Sequence, residues 1–348
     1  VQPMGVSYNS YLILDEKIAV MDSVDARAAD EWLAKLAHEL DGRSPDYLVI
    51  SHMEPDHSGS ILRLAEKYQE MKLVGNTKTF AMLRQFFGAK APTDDRLLEV
   101  GEGETLPLGA HTLHFMLAPM VHWPEVMVAY EETENFLFSA DAFGRFGALS
   151  RTAAAPWAPQ ARRYYYNIVG KYGAQVQALL KKAAALEIET ICPLHGPVLT
   201  GEALGEALRL YDLWSRWQSE SPDDILLAHA SIHGNTARAA ELLKQKLEAK
   251  GARVTLCDLT TTEVSYAVAN AFYCGKLVLA CSTYDGGLFP PMEEFLSHLQ
   301  AKGFRDRSVG LMENGSWAPA AARLMRAKLE EMKDLRVCGT VVSLRSAL

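Results

Sequence analysis

The chain has 348 residues, a length that suggests about two domains, and 49% of them are hydrophobic, ordinary for packed globular cores. Its net charge of −8, with no block of Lys or Arg interleaved with aromatics, argues against nucleic-acid binding. No run approaches the roughly 18 apolar residues of a membrane helix and no signal peptide is visible, so no membrane association is expected. Cys192, Cys257, Cys274, Cys281 and Cys338 form no C-x-x-C pair and read as reduced thiols of a cytoplasmic protein.

Val1-Gln2-Pro3-Met4-Gly5 reads as an interior segment, as if the sequence were trimmed before it. Tyr11 to Asp22 predicts a hairpin with a charged turn. Ala26 to Leu40 predicts a helix with Trp32, Leu33, Leu36 and Leu40 on one face, closed by Asp41-Gly42. The apolar run Tyr47-Leu48-Val49-Ile50 predicts a buried strand. It ends in His52-Met53-Glu54-Pro55-Asp56-His57, which packs two imidazoles and two carboxylates into one short turn. That ligand mix is oxygen-rich and suits iron or manganese better than a structural zinc. A helix follows over Ser60 to Tyr68, then a turn at Gly101–Glu104 and a hairpin-like run, Thr112 to Leu117.

Further candidate ligands stand downstream. His122 lies in Pro119-Met120-Val121-His122-Trp123-Pro124. Asp141 follows the apolar run Phe136-Leu137-Phe138, and His195 follows Thr190-Ile191-Cys192. Singly, a histidine after a strand is more often a loop or core residue, and Asp141 reads equally as a turn residue or helix cap. With the first cluster they make seven ligands, enough for two metals and one bridging carboxylate. Arg162 to Leu186 and Leu208 to Trp217 read as helices, the aromatics of the latter as packing.

The polar stretch Ser219–Asp224 marks the expected boundary. Beyond it, strands at Ile225–Ala228, Val254–Cys257, Leu277–Ala280, Val309–Met312 and Val337–Val342 alternate with helices, including Thr236–Lys250, a helix through Leu299 and Ala318–Met332. Continuous apolar strands separated by helices mean a parallel sheet covered on both faces. Between the first strand and its helix lies Ser231-Ile232-His233-Gly234-Asn235-Thr236. Hydroxyls, a glycine and free N–H groups at a helix N-terminus favour a phosphate. Two more loops follow strand ends, Ser282-Thr283-Tyr284-Asp285-Gly286-Gly287 and Glu313-Asn314-Gly315-Ser316-Trp317.

The ligand pattern resembles the binuclear metallo-β-lactamase-like fold. Hydrolases of that superfamily carry H-x-H-x-D-H, whereas Glu54 makes the motif here H-x-E-x-D-H, which is similar to the flavodiiron proteins. A carboxylate in place of an imidazole adds negative charge and favours higher iron oxidation states over zinc. The resemblance implies an α/β protein, with a metallo-β-lactamase-like αββα sandwich over 1–220 and a flavodoxin-like doubly wound parallel sheet over 221–348. It implies two iron ions, one on His52, Glu54 and His122, the other on Asp56, His57 and His195, with Asp141 bridging.

Ser231–Thr236 resembles the flavodoxin phosphate loop, [ST]-x-x-G-x-T, which implies FMN, with the Ser282–Gly287 and Asn314–Trp317 loops flanking its ring and Tyr284 and Trp317 stacking on it or edging it. The activity implied is reduction of dioxygen to water, of nitric oxide to nitrous oxide, or both, in a head-to-tail homodimer or a dimer of dimers. Electrons would come from a separate rubredoxin or flavoprotein reductase. The 143–160 loop is shorter and less acidic than the family leads one to expect. Two other readings are weighed: a lactamase-type metallo-hydrolase with a flavodoxin-like appendage, against which Glu54 argues, and a flavoprotein electron carrier with a vestigial metal site, against which the full ligand set argues.

Overall fold

A computed structural model describes residues 4–152 and 155–347. Val1–Pro3, in the stretch read as interior, and Ala153 and Ala154 of the 143–160 loop lie outside the described residues. The chain divides into two compact units, one of Val1–Tyr165 and Ala174–Asp212, the other of Tyr166–Gly173 and Leu213–Leu348.

The first unit holds two sheets. One contains β1 (Tyr11–Ile13), β2 (Ala19–Met21), β3 (Tyr47–Val49), β4 (Lys72–Gly75) and β5 (Leu97–Glu99), side by side in that order. The other contains β6 (Thr105–Pro107), β7 (Thr112–Leu117), β8 (Met127–Glu131), β9 (Phe136–Phe138), β10 (Thr190–Cys192) and β11 (Leu199–Thr200). The period-two alternation of strands explains the layering. Val20, Leu48 and Leu73 pack into a core with Leu36, Leu40, Leu64, Phe80 and Leu83 of the helices Ala29–Leu40, Ile61–Lys67 and Thr77–Phe87. Their neighbours Met21, Val49 and Val74 pack into a second core with Phe115, Met127, Ala129 and Phe138 of the other sheet. Each fully buried side chain of this size contributes about 1.5–3 kcal/mol.

In the second unit the sheet runs β13 (Val254–Asp258), β12 (Ser221–Ala230), β14 (Cys274–Tyr284), β16 (Ser308–Asn314), β17 (Arg336–Leu344), all parallel. The chain leaves β12 toward one side and returns on the other, so the strand order reverses between β12 and β14. Doubly wound sheets of this order hold ligands at that point, outside the carboxyl ends of the strands.

Several elements differ from the sequence-based expectation. Arg162–Leu186, read as mostly helical, is shared by two helices, Trp157–Ile168 and Gly173–Ala183. A Cβ on Gly173 would stand 2.2 Å from the Ser215 carbonyl oxygen, so the chain turns where only glycine fits. The polar stretch read as a boundary runs into β12, which begins at Ser221. Its acids face basic partners at the strand's solvent end: Asp224 accepts from Arg253 at 2.5 Å and Asp223 from Lys276 at 3.0 Å. The helix Val264–Tyr273 and the strands β4 to β6 and β8 carry no strong periodic signal and went unread. Ser282–Tyr284, read as loop, is the end of β14, paired with β15 (Gly287–Leu288) through an Asp285-Gly286 turn. Both turn residues have positive φ, 49° and 73°, the conformation that hairpin turns of this length require.

Candidate metal centre and ligand pocket

Strand register explains why distant ligands meet. β9 and β10 are parallel neighbours, so the loops leaving them, with Asp141 and His195, lie side by side. β8 runs antiparallel to β9, which brings the segment before β8, with His122, to the same edge. A backbone bond from the Met127 N–H to the Ser51 carbonyl, 3.1 Å, ties that edge to the loop after β3 that carries His52. Glu54 caps the short helix Pro55–Ser58, and Pro55 at its first position fixes the turn that presents Asp56 and His57.

The ligand atoms fall into two groups, His52 with Glu54, His122 and Asp141, and Asp56 with His57 and His195. Asp141 faces both. Its Oδ2 is 3.0 Å from His122 Nε2 and 3.6 Å from His52 Nε2. Its Oδ1 is 3.1 Å from His57 Nε2 and 3.6 Å from His195 Nε2. Glu54 Oε2 closes the first group, 3.0 Å from His122 Nε2 and 3.4 Å from His52 Nε2. Asp56 Oδ2 closes the second, 3.4 Å from His57 Nε2 and 3.3 Å from His195 Nε2. Two atoms each about 2.1 Å from a common ion stand roughly 3.0–3.4 Å apart at octahedral or tetrahedral angles. Six of these eight edges fall within that range, and the other two, from Asp141 to His52 and to His195, are 3.6 Å. Buried Asp56 Oδ1 finds no hydrogen-bond donor, which is costly unless a cation supplies the charge.

The rings are held in the tautomer that a metal needs. His52 Nδ1 is 2.7 Å from Glu125 Oε1 and His195 Nδ1 is 2.7 Å from the Ser7 carbonyl oxygen, so each Nδ1–H donates and Nε2 is the atom turned to the cage, where a bound cation would replace its proton. The electrostatics point the same way. Burial opposes an imidazolium at His52, yet Glu125, Glu54 and Asp141 outweigh it and push its pKa up to about 10. Burial likewise opposes charge on Glu54, but His122 and His52 bring its pKa down to about 2. Burial would raise Asp141 too, and the surrounding histidines hold it well below the usual carboxylate range. The cage is built to hold positive charge.

The backbone around the cage is strained. Asp22, Met120, Ala140 and Phe143 all have positive φ, from 51° to 66°. After His195 the chain bends through Gly196 at φ 88°, where a Cβ would stand 2.8 Å from Arg145 Cγ. Glu125 and Asp22 escaped the sequence reading. Glu125 Oε1 also accepts the Met53 N–H at 2.9 Å, and Asp22 Oδ1 accepts the Ser51 N–H at 2.7 Å. Tyr164 was also missed. Its ring lies 5.6 Å from that of His195, and burial and Asp141 push its phenol well above the ordinary range. A carboxylate shortly after His122 was the one available hint for Glu125.

In the second unit a cavity of about 480 Å³ opens at the reversal point. Ser231, Ile232, His233, Asn235 and Thr236 line it, with Ser282, Thr283, Asp285, Gly286, Asn314, Gly315, Ser316 and Trp317. Gly234, Tyr284 and Gly287 are not in the lining. Tyr284 turns toward Phe289, ring centroids 5.7 Å apart, because side chains alternate along β14. Trp317 is 87% exposed at the rim. The Ser231 hydroxyl accepts the Gly234 N–H at 3.1 Å, and Thr236 and Ser282 share a hydroxyl–hydroxyl bond of 2.8 Å. The Thr283 hydroxyl accepts the N–H groups of Ala320 and Ala321 at 3.0 and 3.3 Å, entering the helix Ala321–Glu330.

A family model described as ODP family beta lactamase matches residues 6–196. The chain belongs to this family. The ODP match spans the segment that supplies every ligand of both groups. A nitric oxide reductase of Moorella thermoacetica is 27% identical over 338 residues, 94% of this chain and 83% of that protein. The solved rubredoxin oxygen:oxidoreductase of Desulfovibrio gigas superposes with a TM-score of 0.91 at 27% identity, covering 100% of this chain and 87% of that one. The flavodiiron protein of Giardia intestinalis superposes with a TM-score of 0.87 at 26% identity, covering 97% and 85%. Of the putative diflavin flavoprotein A 1 of Nostoc sp., 29% identical over 333 residues, the chain spans 56%. The likeness to flavodiiron proteins therefore extends over both units. Among the described residues no helix is long and apolar enough to cross a membrane.

Proposed function

We propose that this chain is a flavodiiron oxidoreductase that reduces dioxygen to water, nitric oxide to nitrous oxide, or both. The observation that carries this reading is Asp141, whose two oxygens each face a separate pair of histidines. His52, Glu54 and His122 would hold one iron, Asp56, His57 and His195 the other, with Asp141 between them. The cavity of the second unit would hold FMN, its phosphate at Ser231–Thr236 and its ring between the Ser282–Gly286 and Asn314–Trp317 segments. When bound, the flavin stores electrons and the iron pair delivers them to the diatomic substrate.

The protein's own part is positional. Glu125 and Ser7 hold the His52 and His195 rings with Nε2 inward. Glu54 supplies the carboxylate that favours redox iron over hydrolytic zinc. The relatives are named as oxidoreductases, which together with Glu54 disfavours hydrolysis. The name rubredoxin oxygen:oxidoreductase supports a rubredoxin-type electron donor. A head-to-tail homodimer, pairing the flavin of one copy with the metal pair of another, is part of the proposal. A variant that splits the dimer should keep both cofactors and lose fast electron transfer, and a fully active monomer would sink that part.

Metal analysis with flavin extraction tests the whole reading, the expected result being two iron and one FMN per chain. The reduced protein should then be reoxidised, in anaerobic single turnover, by dioxygen, by nitric oxide, or by both. Two zinc ions, or no reoxidation by either gas, would overturn it.

A further inference from the structure

Ser346 follows β17 and lines the cavity of the second unit, although nothing in its sequence neighbourhood marks it as a binding residue. It is locked to the third loop. The Asn314 amide nitrogen donates to the Ser346 carbonyl at 2.9 Å, and the Ser346 N–H donates back to Asn314 Oδ1 at 2.9 Å. The Ser346 hydroxyl donates to Ser316 Oγ at 2.7 Å. Two residues before Ser346, the Leu344 carbonyl accepts the Gly315 N–H at 3.1 Å. The reciprocal pair occupies both ends of the Asn314 amide, which is itself 7% exposed, so this side chain is spent on the protein.

Neighbouring groups are committed too. Glu313 accepts the Ser343 hydroxyl at 3.0 Å and the Ala322 N–H at 2.9 Å. What remains to meet a ligand is the face that Ser316 and Trp317 turn to the cavity, which these bonds hold in place. Ser346 has φ 77°, in the left-handed region that glycine tolerates and proline cannot enter.

We infer that Ser346 is part of the flavin site: through its main-chain clip on Asn314 it positions Gly315–Trp317 against the flavin ring. The inference rests on the flavin reading above and adds to it the segment after β17. Because the clip acts at the ring end of the cavity and not at the Ser231–Thr236 end, its loss must weaken riboflavin and FMN by the same factor. Loss of a phosphate-loop hydroxyl must weaken FMN alone.

The test measures dissociation constants of riboflavin and FMN, by quenching of flavin fluorescence, for the full chain and its variants. Ser346→Pro removes the N–H and the required φ, and should weaken both ligands roughly tenfold, the size expected for two hydrogen bonds. Ser346→Gly keeps the backbone bonds and should bind within about twofold of the parent. Asn314→Ala removes the same two bonds without touching the segment after β17, and must repeat the proline result. Thr236→Ala should weaken FMN and spare riboflavin. Ser346→Pro and Asn314→Ala binding like the parent, or weakening FMN alone, would overturn the inference while leaving the flavin reading intact. A parent chain that binds neither ligand would overturn both.

Discussion

At Glu125 one carboxylate oxygen serves two donors, the His52 ring and the Met53 N–H. It touches no metal position, yet it sets which nitrogen of His52 faces the cage. Glu125→Gln keeps the shape and removes the charge, so metal affinity should fall about 10- to 100-fold, read by chelator competition. Unchanged affinity would show that the contact is incidental. Glu54→His restores the hydrolase-type ligand set and should shift the bound metal from iron toward zinc, measured as metal content after loading with equal amounts of both.

The metal-stripped cage has its own pH signature. His52, raised to about 10, stabilises the fold fully below its ordinary 6.5 and loses that contribution as pH climbs toward 10. Glu54, lowered to about 2, stabilises fully above its ordinary 4.5 and loses its contribution as pH falls toward 2. Chelated protein should therefore melt highest between about pH 4.5 and 6.5. A melting temperature that goes on rising above pH 6.5 would contradict this. The seven candidate ligands could be picked out because motif spacing and strand ends expose them, and the structure brings them together in two groups. Glu125 was not, since its partner His52 lies 73 positions away and no local pattern joins them.

Strands β2 to β4 owe their place to alternation: Val20, Leu48 and Leu73 face the helices while Met21, Val49 and Val74 face the second sheet. Phe115, fully buried on the opposing sheet, fills the space between. Phe115→Ala should cost about 3–5 kcal/mol, seen as a lower urea midpoint. A loss below about 1 kcal/mol would mean that the site collapses around the gap. Strong apolar runs such as Tyr47–Ile50 revealed their strands in the sequence. β14 was read too short, because its last residues, Ser282 to Tyr284, are polar and owe their strand form to pairing, Ser282 with Asn314 of β16 and Thr283 and Tyr284 with β15, a tertiary effect. The polar start of β12 was misread for the same reason: Arg253 and Lys276, distant in sequence, neutralise its acids.

On the scale of the whole chain, the two sites draw their residues from different units. Stripping the metal with a chelator should leave the flavin content unchanged, measured by its absorbance, while the reduced flavin ceases to be reoxidised quickly by substrate. Flavin lost in step with metal would show that one site supports the other. The change of pattern near residue 220, where continuous apolar strands and helices begin, is the sequence's cue for a second unit, and the contacts divide the chain nearby, between Asp212 and Leu213. The assignment of Tyr166–Gly173 to the second unit was not, because Tyr166 is placed by stacking on Phe272, ring centroids 3.9 Å apart, across more than a hundred residues of intervening sequence.

The bond from Met127 to Ser51 joins the two sheets at the cage, and it joins one peptide group to another. A substitution at either position changes a side chain and leaves that amide and carbonyl where they were, proline at 127 excepted. The distance between the ligand-bearing loops is therefore written in the main chain, beyond the reach of most mutations. Such a framework can exchange most of its side chains and keep its fold, as the TM-score of 0.91 at 27% identity illustrates.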